Sequence, residues 1–499
     1  MRSRGKEEAL PLFTLFPTMA ASTGKLNLKR DVGLISAVSL IVGTIIGSGI
    51  FMSPEWVLRY IGSPGASLLI WMACGCLCMT AALSYVELGT VIKESGGEYI
   101  YILRNFGPAP AFLYSWTSVF VGIPSSIAAM SLSLAQYIAA PFYGESPVPP
   151  AVVKCTAAAS ILTIAIINSL NVKLATRIQN IFTFAKILSL LVIVIGGMVL
   201  IINGHTESFQ NAFQGTRGIG SVGIAFQQGL WSYSGWNNLN YLTEEIKHPE
   251  VNLPRALLIS LPLVTLLYSL VNVSYFVALS PAEIMSSGAV AATWGSKVLG
   301  SWAWIIPLSV VLSTFGSING SFFTSGRICY IAAREGSLPD ILSMAHVNRL
   351  TPLPALSFIA VIALILLIPG DFGSIVQYFS FTAWIFYGLT FAALVHMKIK
   401  KPHLPRPFKV PMAIPVFMLI VSICLVMAPL IENPQIEYLF VGLFMLSGIL
   451  IYFPLIRFKL CTCSVERITV HLQLLLQVAP TEANLDSLVQ KKIAEIGII

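Results

Sequence analysis

Long apolar stretches repeat along almost the whole chain, and this constrains the fold more than any other feature. A helix that crosses a bilayer takes ~20 mostly apolar residues, and the chain offers roughly twelve such stretches. They begin near Gly33, Pro64, Pro108, Pro150, Ile178, Ser221, Leu253, Trp302, Pro354, Ile375, Val410 and Tyr438. Charged residues make up only 10% of the 499 residues and hydrophobic ones 56%. Soluble proteins carry roughly 25% charge, and a chain with so little polar surface cannot cover a core of this size in water. A polytopic α-helical membrane protein is expected.

Lysine and arginine set the orientation, because they concentrate on the cytoplasmic side of short loops. With a cytoplasmic N-terminus, the inside segments carry Lys25, Lys29 and Arg30, Lys93 and Arg104, Lys173 and Arg177, Lys247 and Arg255, and Arg334 and Arg349. The tenth-to-eleventh connection adds Lys398, Lys400, Lys401, Arg406 and Lys409, and the tail adds Arg457 and Lys459. The other loops hold little beyond Arg59, Lys154, Arg217 and Lys297. Both termini are therefore expected to be cytoplasmic. The short apolar piece Leu10 to Ala21 reads as part of a cytoplasmic tail, since Lys25 to Arg30 and a full span follow it directly. The triplets at Asn272 and Asn319 fall inside spans and are not read as glycosylation sites. Ile468 to Val478 is apolar but too short to cross, and suits an amphipathic helix on the cytoplasmic face or against the bundle.

Two spans are unlike ordinary lipid-facing helices. Gly43-Thr-Ile-Ile-Gly-Ser-Gly-Ile-Phe51 places three glycines inside the first, and glycine weakens a helix. In lipid, the freed backbone groups need partners. A break facing a cavity supplies them through a polar ligand, with N–H groups and the following half-helix suited to a carboxylate. Close helix packing through Gly43 and Gly47 is the alternative. The sixth span, Phe226 to Asn240, is equally polar, with Ser232, Ser234 and Gly235 at its middle. Trp231 and Trp236 beside them suit core packing as well as a site. Interruptions in the first and sixth spans together indicate two inverted five-span repeats with a binding site at midplane. Lys186 lies in the fifth span, where a charge is costly and marks function unless it snorkels out. Glu87 in the second suits a salt bridge or gate near the cytoplasmic edge.

Catalytic signatures are missing. There is no HExxH pair, phosphate-binding glycine loop or nucleophile elbow, the six histidines are scattered, and the basic residues track loops and do not form a nucleic-acid face. Neither enzyme activity, a cofactor, a metal nor nucleic-acid binding is expected. The 8 Cys include no pair in an outside loop, so no disulfide framework is expected.

Six long motifs in order carry a resemblance: GLISAVSLIVGTIIGSGIF from Gly33, SGGEYIY from Ser95, RIQNIFTFAK from Arg177, SYSGWNNLNYLTEEI from Ser232, NLPRA from Asn252 and AREGSLP from Ala333. From about Leu28 to the tail, the chain resembles the light subunits of heteromeric amino acid transporters of the amino acid–polyamine–organocation superfamily. It is most similar to the b(0,+)-type members, partly through ITVHLQLLLQVAP in the tail. The resemblance implies an all-α fold of about twelve transmembrane helices with two inverted five-helix repeats and broken first and sixth helices. The tails would be 1–30 and 461–499, and the transmembrane domain 31–460, with repeats at about 31–205 and 220–398 and two further helices within 410–458.

It also implies sodium-independent exchange of L-amino acids at the plasma membrane by alternating access. Thr44, Ile45, Ser48 and Gly49 would bind the substrate α-carboxylate. Backbone carbonyls near Trp231, Ser232 and Ser234 would bind the α-amino group, with Trp231 closing the external gate. Lys186 would stand in for a sodium ion, and Asn319 would be a polar site position of the eighth span. Three departures carry weight. Ser234 replaces an Asp that pairs with cationic substrates, which favours neutral substrates, large or aromatic ones included. Ile123 stands before Pro124 where many relatives have Lys or Arg. The loop Pro141 to Pro150 lacks the Cys that links relatives to a single-span glycoprotein heavy subunit, so that partnership would be non-covalent or absent. Two other functions are carried forward: a broad exchanger of cationic and neutral amino acids and cystine, and a non-transporting amino acid sensor on the same fold.

Overall fold

The computed structural model describes residues 32–480 apart from 145, 171, 335–337, 348, 350, 433 and 458–461. The N-terminal tail, including Leu10 to Ala21, and residues 481–499 lie outside the described residues. The rest is almost entirely helical; the described strands are two three-residue pieces.

Eight helices among the described residues are long and apolar enough to cross a membrane. They are Pro64–Val91, Pro108–Tyr143, Pro150–Leu170, Pro249–Ala278, Gly300–Gly326, Phe372–Lys400, Ala413–Glu432 and Ile436–Pro454. A ninth span is the bent pair Leu34–Ile45 and Gly49–Ile61, whose halves meet at 49°. The remaining three expected segments are helical as well. The fifth is the long helix Val172–Ile202, whose described apolar part is Lys186–Ile202. The sixth, Ile219–Ser232, has 14 residues, because its helix stops at mid-chain. The ninth, Leu353–Leu367, has 15. Apart from the fifth, whose helix begins at Val172 and not near Ile178, helix starts fall within a few residues of those expected, and Asn272 and Asn319 both sit inside helices.

Proline and glycine punctuate these spans as their backbone chemistry dictates. Pro64, Pro108, Pro249 and Pro281 occupy first turns, where their missing N–H would be unpaired anyway. A π-helical stretch, Ser118–Gly122, interrupts the third span just before Pro124, as expected where a proline removes a ladder donor. Lipid-sized side chains face outward along the bundle: Leu69, Leu162, Leu266, Ile365, Ile420 and Leu439 are all about half exposed or more. In water these would be a liability; in lipid they are the natural coat.

The bundle's two ends differ in charge. The end carrying the Lys- and Arg-rich connections, here the basic side, is fastened by a buried ion cluster. Glu87, fully buried in the second span, takes Arg406 on Oε1 at 2.7 Å and Lys398 on Oε2 at 2.7 Å, and Oε2 also accepts the Val410 N–H at 2.8 Å. The salt-bridge reading of Glu87 is thus realised. The tail also docks on this side: Val478–Pro480 pairs antiparallel with Met344–His346, and the preceding helix Thr462–Leu476 leads into it.

Candidate functional site

The two interrupted spans meet where both lose their helical ladder. After Ile45 the first helix stops, Ile46 turns extended, and a new helix starts at Gly49. The N–H groups of Gly47, Ser48 and Gly49 have no backbone carbonyl partner among the described residues. The sixth helix stops at Ser232, and the chain passes through turns, with Gly235 at φ +104°, into the 3-10 stretch Asn238–Glu245. Glycine at 49 is what lets the breaks touch. A Cβ there would lie 2.5 Å from Ser232 Cα and 2.6 Å from its Oγ, so only a residue without a side chain fits. Beyond that contact, Gly235 packs beside Thr44, whose Cβ would be 3.3 Å from a side chain at that glycine.

Freed carbonyls are held by neighbouring spans. Lys186, fully buried, donates its ammonium to the Gly43 carbonyl at 3.0 Å and to Ser317 Oγ at 3.4 Å. It does not snorkel to the basic side; it reaches the first break. Tyr268 of the seventh span puts its hydroxyl on both broken ends, 2.9 Å from the Ile45 carbonyl and 3.1 Å from the Ser232 carbonyl. Its single proton is shared between two acceptors, one from each broken span. The Trp231 carbonyl accepts the Ser234 N–H at 3.0 Å. The Ser232 hydroxyl is buried without a hydrogen-bond partner, and such an orphan inside a bundle marks a place where a polar ligand or water would be welcome.

Expected site residues separate into neighbouring groups. Ile45, Ser48, Gly49 and Ser232 form the junction itself, buried together. The Thr44 hydroxyl donates within its own helix, to the Leu40 and Ile41 carbonyls at 2.8 and 3.0 Å. Trp231 and Ser234 line a cavity of only about 10 Å³, walled also by Cys78, Trp236, Phe379, Trp384 and Tyr387, about the space of one water. The Trp231 ring packs edge-on against Phe379 at 5.0 Å and Phe372 at 6.3 Å. Asn319 is further along the eighth span, where its Oδ1 accepts from Asn168 Nδ2 at 2.8 Å. On the far side of Phe372, away from the basic side, a wider cavity of about 390 Å³ opens among Met52, Glu55, Trp56, Gln136, Lys154 and Asp371.

Residues 32–453 match the family described as "Amino acid permease". The chain belongs to the amino acid permease family. Among similar proteins, the permease is 49% identical to the human b(0,+)-type amino acid transporter 1, over 91% of this chain and 94% of that one. It is 41% identical to the human cystine/glutamate transporter, over 92% and 93%, and 43% identical to the human large neutral amino acids transporter small subunit 2, over 88% and 82%. The resemblance read from the motifs is therefore correct at the level of the family.

Two parts of the permease escaped sequence reasoning. Tyr268 gives no local signal, since its partners are 223 and 36 residues away. A second buried polar group lies on the basic side of the small cavity, around Glu98, Asn237 and Tyr241; the motifs that contain these residues were visible, but not their contact. Among the described residues no cluster of three or more metal-binding side chains occurs.

Proposed function

We propose that this permease is a sodium-independent exchanger of neutral L-amino acids, large or aromatic ones included, working by alternating access at the plasma membrane with both termini cytoplasmic. The observation that carries the reading is the junction of the two breaks, with the Lys186 ammonium on the Gly43 carbonyl. A broken pair of half-helices presents N–H groups to a carboxylate and carbonyls to an ammonium. Here the unpaired N–H groups of Gly47 to Gly49 supply the first. The carbonyls of Trp231 and Ser232 supply the second by giving up their present partners. Thr44, Ile45, Ser48, Gly49, Trp231, Ser232, Ser234 and Asn319 form the substrate site in this reading, with Trp231 as the gate. Lys186 provides a fixed positive charge where a coupling cation would otherwise be needed, which supports exchange without sodium. The repeats are assigned to about 31–205 and 220–398. Similarity to transporters, without any catalytic signature, supports a carrier and not an enzyme.

Substrate charge follows from position 234. Serine there leaves no carboxylate among the residues that line the small cavity, the nearby Glu98 carboxylate being taken up by Asn237 and Tyr241, and an unpaired cation in a dry site is strongly disfavoured. A heavy subunit, if the permease takes one, pairs without a disulfide through the loop before Pro150, whose described residues contain no Cys. Competition decides the substrate class. Excess arginine is expected to leave labelled leucine uptake nearly unchanged in the wild type and to inhibit it in Ser234→Asp. Strong inhibition of the wild type would instead favour the broad exchanger of cationic and neutral amino acids and cystine.

A further inference from the structure

The substrate site uses only the front of the motif Ser232 to Ile246 and none of Ser95 to Tyr101. The structure packs the remainder of the two motifs against each other on the basic side, directly below the small cavity. Ser95 N–H donates to Glu244 at 3.1 Å, and Glu244 N–H donates back to Ser95 Oγ at 3.0 Å. Asn240 donates to the Tyr85 carbonyl and to Tyr101, both at 2.9 Å. At the centre is Glu98, 1% exposed. Its carboxylate accepts from Asn237 Nδ2 at 2.5 Å, from the Tyr241 hydroxyl, and from the Tyr114 hydroxyl at 3.3 Å. Those donors come from the turn after the sixth helix, from the 3-10 stretch that follows it, and from the third span. Among the described residues Glu98 forms no ion pair, whereas Glu87 has two cations.

We propose that Glu98 is the positioning residue of a gate on the basic side, held shut by neutral donors and opened by hydration. The inference rests on the carrier reading above. A buried carboxylate with no counter-ion is tolerated only while its hydrogen bonds are complete. Charge-assisted bonds to Asn237, Tyr241 and Tyr114 meet that need in the shut state. If Asn237 moves, the set is incomplete, and the next acceptable state is a carboxylate in water, with the seam parted. The seam therefore has two stable arrangements, dry and fully bonded or wet and open, which is the kind of two-state element a carrier needs. An ion-paired latch like that of Glu87 would resist opening, because parting it leaves buried charges uncompensated. Asn237 lies three residues past Ser234 and two past Gly235, so a shift at the break on substrate binding or release is transmitted to Glu98 through a short stretch of turn. Between seam and cavity stands a layer of rings, Tyr85 on Trp236 at 4.7 Å and Trp236 on Tyr387 at 5.5 Å, which would part with it.

A native reporter tests this. Cys78 lines the small cavity and is 1% exposed. Purified protein in liposomes is treated with a membrane-impermeant maleimide from one side at a time, and Cys78 modification is followed by peptide mass spectrometry. In Glu98→Gln, labelling from the basic side is expected to rise at least about 10-fold over wild type, equivalent to ~1.4 kcal/mol, without a rise from the opposite side. Leucine exchange should lose kcat with little change in KM. Tyr241→Phe, which removes one oxygen, should move both readouts in the same direction by less, and it carries the test if Glu98→Gln does not fold. Unchanged labelling in these variants, or an equal rise from both sides, overturns the proposal. Should wild-type protein show no exchange of any amino acid, the carrier reading fails, while the sidedness of Cys78 labelling still decides whether the seam is a gate.

Discussion

Gly49→Ala puts the claim that the two breaks touch to its hardest test. Alanine is a better helix former than glycine, and Gly49 opens a helix of 13 residues, so local propensity predicts a small gain in stability. The contact predicts a loss. The added Cβ would sit 2.5 Å from Ser232 Cα, 2.6 Å from Oγ and 2.8 Å from Cβ, against ordinary carbon contacts of ~3.5–4.0 Å. The two spans must therefore separate by about 1 Å, and overpacking of this kind costs typically 1–3 kcal/mol. Because the nearest atom is a Cα, no change at position 232 removes it, so Ser232→Gly should relieve Gly49→Ala only in small part. Thermal unfolding of purified protein in detergent should fall by several degrees, and leucine exchange should drop far more than expression does. The reasoning is refuted if Gly49→Ala unfolds at or above the wild-type temperature with full exchange, or if Ser232→Gly restores it completely.

Three further perturbations probe the rest of the frame. Tyr268→Phe removes the hydroxyl shared by the Ile45 and Ser232 carbonyls; leaving buried acceptors unpaired costs ~1–3 kcal/mol, and exchange should fall about 5-fold or more with surface expression retained. Glu87→Gln strands Lys398 and Arg406; breaking a buried pair costs ~3–5 kcal/mol, which should appear as a lower unfolding temperature, and a silent variant would contradict the cluster. Glu283, in the helix Pro281–Ser286, is held near pKa 2 by the Ser280 N–H first and then by Lys297. A carboxylate lowered on folding adds stability above its unfolded pKa and loses it as pH falls, so Glu283→Gln should be less stable near neutral pH, with the gap closing between about pH 4.5 and about pH 2 in calorimetry.

Much of this architecture was legible because a bilayer imposes simple rules. Twenty apolar residues announce a span, so among the described residues nine of the twelve expected segments stand out by length and hydropathy once the bent pair is counted. The sixth stops short at Ser232 because its chain breaks there, the feature that made it conspicuous in sequence. Lys186 and Glu87 were readable because charge at membrane depth demands a reason. Tyr268 and Glu98 were not, for a common physical cause. A tyrosine in a span or a glutamate at a loop edge is locally ordinary, and their meaning lies in partners as far as 223 and 143 residues away. Periodicity reports which face a helix buries, not which carbonyl meets it there. Position 234 was readable as a residue from the sequence, while its place in the wall of the small cavity came only from the fold.

Counterflow with purified protein alone, in liposomes preloaded with unlabelled leucine, addresses the central claim most directly. The account predicts transient accumulation of labelled leucine above its equilibrium level, unchanged when sodium is replaced by choline and lost in Trp231→Ala. Uptake no greater than in protein-free liposomes, or accumulation that requires a sodium gradient, would contradict it.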